Sequence, residues 1–312
     1  MLKKIILFKS LIITLSFTII FIGISFGKQP VNTIGHKDTL RLLLIGNSFS
    51  WNATRFLPEL AAEAGFPLKI ERAALAGCSL KRHWGLVELA EKDPENQQSK
   101  QYDGKSLKEI LEETKWDIIS LQQVSILSGD ICTYRPYAWR LYNFIKDLRP
   151  KAKIVMLQTW AYRSDSEDFS QIAENWYAKN GKEMWEKSRA AYRTIADELD
   201  VDIVPVGDAF ALVSKSKKWR YKEDTAFNKT KAVYPELPGQ AYSLHRGYFW
   251  DENKELQFDS HHASEAGCYL GSLVWYSFIF KTNPAIRKFS PENVSEDFAR
   301  YLKIMAWYVT KN

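Results

Sequence analysis

Two short stretches, one towards each end of the chain, hold residues that could carry out acyl-transfer chemistry. The first is Gly46-Asn47-Ser48-Phe49-Ser50, where an apolar run stops at a glycine and a helical pattern follows closely. A serine on such a strand-to-helix turn exposes its hydroxyl. The N–H groups and dipole of the helix start favour a developing negative charge beside it. The same serine could be a plain helix cap, which asks no chemistry of it. The second stretch is Asp259-Ser260-His261-His262-Ala263-Ser264-Glu265-Ala266-Gly267. Asp259 and His262, three apart on one loop, can meet, and the carboxylate would then fix the ring tautomer and support the imidazolium. The opposite ring nitrogen is left as general base for a serine hydroxyl. Capping by Ser260 or Ser264 beside two surface histidines is the plainer alternative. His261 adjoins His262, but the spacing from Asp259 favours His262 as the base.

Residues this far apart must be brought together by a scaffold. Short apolar runs at 40–45, 67–75, 116–121, 153–157 and 201–206 read as strands, and amphipathic stretches at 55–64, 106–113, 137–148 and 182–199 read as helices. A long apolar helix over 263–281 closes the series. Strands apolar on both faces and separated by helices predict a parallel sheet between two helix layers, in one α/β domain. Ligands in such folds sit beyond the C-terminal ends of the strands. Residues 208–258 break the alternation and carry many aromatics, including Trp219, Tyr221, Tyr234, Tyr242, Tyr248, Phe249 and Trp250, so they are expected to form a cover over the site. Gly207-Asp208-Ala209 reads as a turn with a helix cap.

Taken together, the two end blocks resemble the SGNH (GDSL-type) hydrolase superfamily. Gly46-Asn47-Ser48-Phe49 matches its N-terminal block and Asp259-x-x-His262 its C-terminal block, with Ala76-Gly77-Cys78-Ser79 as the intermediate glycine block. The resemblance implies a flavodoxin-like three-layer α/β/α sandwich on a five-stranded parallel sheet. It also implies a triad of Ser48, His262 and Asp259. The oxyanion hole would use the N–H groups of Ser48 and Gly77. The superfamily's third block, Gly-x-Asn-Asp, is missing: the chain runs Ser120-Leu121-Gln122-Gln123-Val124-Ser125 there. A glutamine amide can offer the same N–H from one carbon further out, and Gln122 is preferred to Gln123 as the first polar side chain past the strand. Leu121-Gln122-x-x-Ser125 and Gln158-Thr159-Trp160-Ala161-Tyr162 resemble an exported branch of the superfamily. The implied reaction is ester hydrolysis through an acyl-enzyme.

Composition narrows the classes further. The 312 residues carry 43 Lys+Arg against 37 Asp+Glu, a net charge of +6 with no long charged block, so nucleic acid is not an expected partner. Lys3, Lys4 and Lys9 precede an almost wholly apolar run over 10–24, and Ser25-Phe26-Gly27 ends it. This predicts a signal peptide over 1–27 and a secreted or periplasmic body over 28–312. The alternative is a retained N-terminal anchor, the one route to a membrane. Three cysteines, Cys78, Cys132 and Cys268, allow at most one bridge and read as small fillers. No cofactor or metal is expected, since His83, His245, His261 and His262 show no compact ligand spacing. Trp51 and Trp160 fall just past strands one and four, where aromatic faces could hold a sugar ring, although most tryptophans fill cores. The basic run 215–220 reads as a solvated loop before an anionic-glycan site. The expected function is therefore a serine esterase acting on O-acyl, chiefly acetyl, groups of a carbohydrate. The alternatives are a carbohydrate-binding or surface protein of the same fold with decayed chemistry, and an anchored acyltransferase using the same triad.

Overall fold

The computed structural model describes residues 38–311, and the segment read as a signal peptide lies outside them. Five strands form the central sheet: β1 (Leu40–Gly46), β2 (Leu68–Ala74), β3 (Ile118–Leu121), β4 (Lys153–Leu157) and, after a two-stranded pair β5 (Gln171–Ala173) and β6 (Trp176–Tyr177), β7 (Asp202–Val204). The order is β2-β1-β3-β4-β7 and every pairing is parallel, the flavodoxin-like arrangement. A hairpin of β8 (His245–Trp250) and β9 (Leu256–Ala263) stands apart from that sheet.

Alternation along β1 builds a core on each face. Leu42 and Leu44 point to one side, and Leu43 and Ile45 to the other. The first face is covered by α1 (Ser48–Ala53), α2 (Leu57–Glu63), α7 (Val206–Ser214), α8 (Glu265–Phe280) and α9 (Glu296–Lys311). The second is covered by α3 (Leu80–Lys92), α4 (Leu107–Glu113), α5 (Tyr137–Leu148) and α6 (Gly181–Leu199). The three-layer α/β/α sandwich expected from the alternation of runs is the fold. Two helices, α3 and α9, and the β8–β9 hairpin were not read from the sequence. The stretch 208–258 is helical to residue 214 and enters the hairpin at 245, so only the middle of it lacks long regular elements. Asp208 caps nothing. It lies in the first turn of α7, and its carboxylate accepts from Gln158 (2.9 Å), Trp185 (2.8 Å) and Arg189 (3.1 Å). Cys78 and Cys268 are buried and Cys132 exposed, all three as free thiols. Among the described residues no helix is long and apolar enough to cross a membrane.

The helix that presents Ser48 is short, and its neighbour α8 holds it in place. Ser272 on α8 takes the Phe56 N–H (3.0 Å), and Gly271 faces Ala53 so closely that a Cβ at 271 would lie 2.8 Å from Ala53 Cα. Gly271→Ala is expected to overpack this crossing and to destabilise by about 1–3 kcal/mol, as read from urea unfolding.

Candidate active site

Ser48 opens α1 directly after β1. Asn47 caps the helix, its Oδ1 accepting from the Phe49 N–H (3.1 Å), while its amide donates to the Cys78 carbonyl (3.1 Å). His83 supports the same turn from below. Its Nε2 bonds the Gly46 carbonyl (2.9 Å) and its Nδ1 the Tyr102 hydroxyl (2.7 Å). A carbonyl can only accept, so His83 carries its proton on Nε2 and Nδ1 accepts.

Asp259 and His262 sit on β9 rather than on the loop expected for them. In a flat strand, residues three apart point to opposite faces. Here the ladder is irregular. Gly247 of β8 pairs with Asp259 and His245 with Ala263, so two steps on β8 face four on β9. The resulting bulge turns His262 to the side of Asp259. Asp259 Oδ2 then accepts from His262 Nδ1 at 2.8 Å, and His262 Nε2 lies 2.8 Å from Ser48 Oγ, across 214 positions of sequence. Asp259 Oδ1 accepts the backbone N–H groups of His261 (3.1 Å) and His262 (2.9 Å), with His261 Nδ1 3.2 Å away. Burial alone would raise the Asp259 pKa, but these hydrogen bonds and the two imidazoles hold it below the ordinary carboxylate range. An ionised Asp259 keeps the proton on His262 Nδ1 and leaves Nε2 free to accept the serine hydroxyl proton.

The segment after β4 supplies partners for the Ser260 and His261 carbonyls within the bulge. Arg163 N–H donates to the Ser260 carbonyl (2.9 Å) and Trp160 Nε1 to the His261 carbonyl (2.9 Å). His245 Nε2 bonds back to the Ala161 carbonyl (2.8 Å), and Ala263 N–H donates to Asn52 Oδ1 on α1 (3.0 Å).

The residues expected around Ser48, His262 and Asp259 divide. Gly77 is exposed at φ +57°, where glycine is needed, and its N–H has no partner among the described residues. The Ser48 N–H, in the first helical turn, likewise has none among the described residues. Gln122, by contrast, is fully buried and committed elsewhere. Its amide donates to Asn47 Oδ1 (2.8 Å) and the Gln123 carbonyl (3.4 Å), and its Oε1 accepts from Ser50 (2.5 Å). Gln123 donates to the Thr133 carbonyl (2.9 Å) and hydroxyl (3.1 Å). Neither glutamine offers a free N–H to the site, so the expected third donor is not Gln122. Its side chain braces the Ser48 turn instead.

Trp51 is 54% exposed on α1, one turn past Ser48. Trp160 is 1% exposed and cannot bind substrate. It stacks between Phe49 (4.1 Å between centroids) and Phe210 (4.6 Å). Of the histidines weighed as ligands, His83 and His245 are bonded apart from the site. Ligand atoms of Asp259, His261 and His262 lie within 4.8 Å of one another, engaged as described.

The family model for a domain of unknown function, DUF4886, matches residues 41–229. Among solved structures, a DUF4886 family protein from Bacteroides uniformis ATCC 8492 is 24% identical, with 87% of this chain and 95% of that chain covered and a TM-score of 0.67. A member of the lipolytic G-D-S-L family from Veillonella parvula DSM 2008 is 11% identical, with 78% and 98% covered and a TM-score of 0.40. No curated protein matches the chain. The likeness to the DUF4886 family protein is one of fold: a parallel sheet in the order β2-β1-β3-β4-β7 between two helix layers.

Two measurements test the site as built. Trp160→Ala should cost about 3–5 kcal/mol of stability as a buried aromatic truncation, while Trp51→Ala should stay within about 0.5 kcal/mol. Burial holds the His83 pKa near about 4, against 6.5 ordinarily, with the Gly46 bond and Arg82 as smaller influences. Between those values the unfolded chain takes up a proton that the native state refuses, so stability is full above 6.5 and falls as pH drops towards 4. Urea midpoints should fall across that window, and less steeply in a folded His83→Gln variant.

Proposed function

Since the chain belongs to the DUF4886 family, and carries a serine, a histidine and an aspartate in one hydrogen-bonded line, we propose that it is a serine hydrolase cleaving esters. The observation that carries this reading is the pair of 2.8 Å contacts, Ser48 Oγ to His262 Nε2 and His262 Nδ1 to Asp259 Oδ2. A buried carboxylate, a correctly tautomerised ring and an aligned hydroxyl are what general-base activation of serine requires.

In this mechanism Ser48 Oγ attacks the ester carbonyl as His262 takes its proton, and Asp259 stabilises the imidazolium. The Ser48 and Gly77 N–H groups receive the oxyanion. His262 then protonates the departing alcohol, and a water activated by the same ring releases the acid. One side-chain donor of the superfamily's oxyanion hole has no counterpart in Gln122. Such a donor is typically worth about 2.7–4 kcal/mol, so a slower enzyme is expected unless the substrate supplies a group of its own.

The substrate proposed is an O-acylated carbohydrate. Trp51 supports it, since a half-exposed indole beside the nucleophile offers a flat face to a sugar ring. Export, read from the N-terminal segment, would place the enzyme among glycans outside the cytoplasm. A second reading, a binding protein of the same fold, is favoured by the committed Gln122 alone.

Hydrolysis of p-nitrophenyl acetate should fall by roughly a thousandfold or more in Ser48→Ala. A fluorophosphonate probe should label Ser48 in the wild type and nothing in the variant. Equal rates and no labelling would instead support the binding protein. Released acetate from a panel of acetylated polysaccharides then identifies the glycan.

A further inference from the structure

Arg163 has no part in the reaction just described, and its guanidinium, 1% exposed, cannot reach a substrate. Nε and Nη2 donate to the two oxygens of Asp165 at 2.7 and 2.9 Å, and Nη1 donates to Gln240 Oε1 at 2.6 Å. The rings of Tyr221 (4.3 Å), Phe258 (4.9 Å) and Tyr248 (5.3 Å) surround it. Asp165, itself buried, also takes the Tyr221 hydroxyl (3.0 Å).

Most of these partners belong to the hairpin or are tied to it. Phe258 directly precedes Asp259 and pairs with Tyr248 across the ladder. Gln240 Oε1 accepts the Tyr248 N–H (2.7 Å), and Gln240 Nε2 donates to the Tyr248 carbonyl (2.9 Å). Gly247, opposite Asp259, has φ +71°, and a Cβ there would lie 2.0 Å from Arg163 Nη1. The backbone of β8 thus approaches the guanidinium as closely as glycine permits. The Arg163 N–H meanwhile holds the Ser260 carbonyl within the bulge.

We propose that Arg163 is a positioning residue that sets where Asp259 and His262 stand over Ser48. The inference rests on the Ser48–His262–Asp259 reading above. A buried ion pair adds little net stability over apolar groups of the same volume. A planar fork held by three oxygens in fixed directions adds orientation, which neither lysine nor an apolar chain reproduces. Orientation matters here because an error of about 1 Å in a catalytic group can cost a hundredfold in rate.

The test removes both charges together, so that no lone ion is left buried. Arg163→Met/Asp165→Leu is compared with wild type by thermal unfolding, by kcat and KM on p-nitrophenyl acetate, and by the far-downfield proton resonance of His262 Nδ1–H bound to Asp259. The expected result is a folded protein with a similar Tm, a lost or broadened resonance, kcat down about a hundredfold and KM within about twofold. Arg163→Lys, which keeps the charge without the fork, should fall between the two. A folded double variant with the resonance in place and kcat near wild type would overturn the proposal. Should the double variant not fold, Gln240→Ala decides on the same readouts. The resonance reports the His262–Asp259 bond whether or not an ester turns over. A wild type inert towards esters therefore counts against the hydrolase reading, and the resonance still decides the role of Arg163.

Discussion

The bulge in β9 is the constraint on which the site depends. Without the extra residues between Asp259 and Ala263, the two side chains that must touch would point to opposite faces of a ribbon. The bulge carries a cost, because the Ser260 and His261 carbonyls within it stand in partly enclosed surroundings and need partners from outside the hairpin. Leaving each unbonded would cost about 1–3 kcal/mol. The Arg163 amide and the Trp160 indole remove that cost, and in doing so they tie the hairpin to the loop beyond β4. Local geometry, polar satisfaction and site assembly are therefore one arrangement.

The serine turn is built on the same rule, that every buried polar group finds a partner. Asn47 accepts from the Phe49 N–H and from Gln122, and donates to Cys78. Gln122 in turn accepts from Ser50. A side chain with this many obligations inside the fold cannot also face a substrate. What distinguishes the chain from the pattern it resembles is thus an amide spent on the turn that carries Ser48. The backbone N–H groups of Ser48 and Gly77 remain as the donors still unspent.

How far the sequence could be read follows from which forces are local. The β1 run and its glycine were legible, since a strand buried on both faces is apolar throughout and the turn needs a small residue. Ser48, Asp259 and His262 were legible as types at a spacing, although the spacing suggested a loop. The bulge was not, because nothing in Asp259-Ser260-His261-His262 marks a strand that doubles back on its period. Trp160 was misplaced for a related reason. Position just past a strand suggests the ligand side, but the ring folds back between Phe49 and Phe210, a stack that involves residues from three parts of the chain. Gln122 failed in the same way, since its partner Ser50 is 72 residues away. Helices α3 and α9 escaped because a polar residue interrupts the buried face of each, His83 in one and Lys303 in the other.

Two separate routes set the contact between Ser48 and His262. One runs through the helices. The chain passes from the hairpin into α8, which packs on α1 through Gly271 and Ser272, and Ala263 is bonded to Asn52 of α1 itself. This route fixes the root of the hairpin to the helix that carries Ser48. The other runs through the sheet, from β1 across β3 to β4, then through residues 160–163 to the bulge. Either alone would leave the hairpin a hinge, because a single line of attachment permits rotation about it. Together they hold the ribbon at its base and at its bulge, and the imidazole lies between the two points.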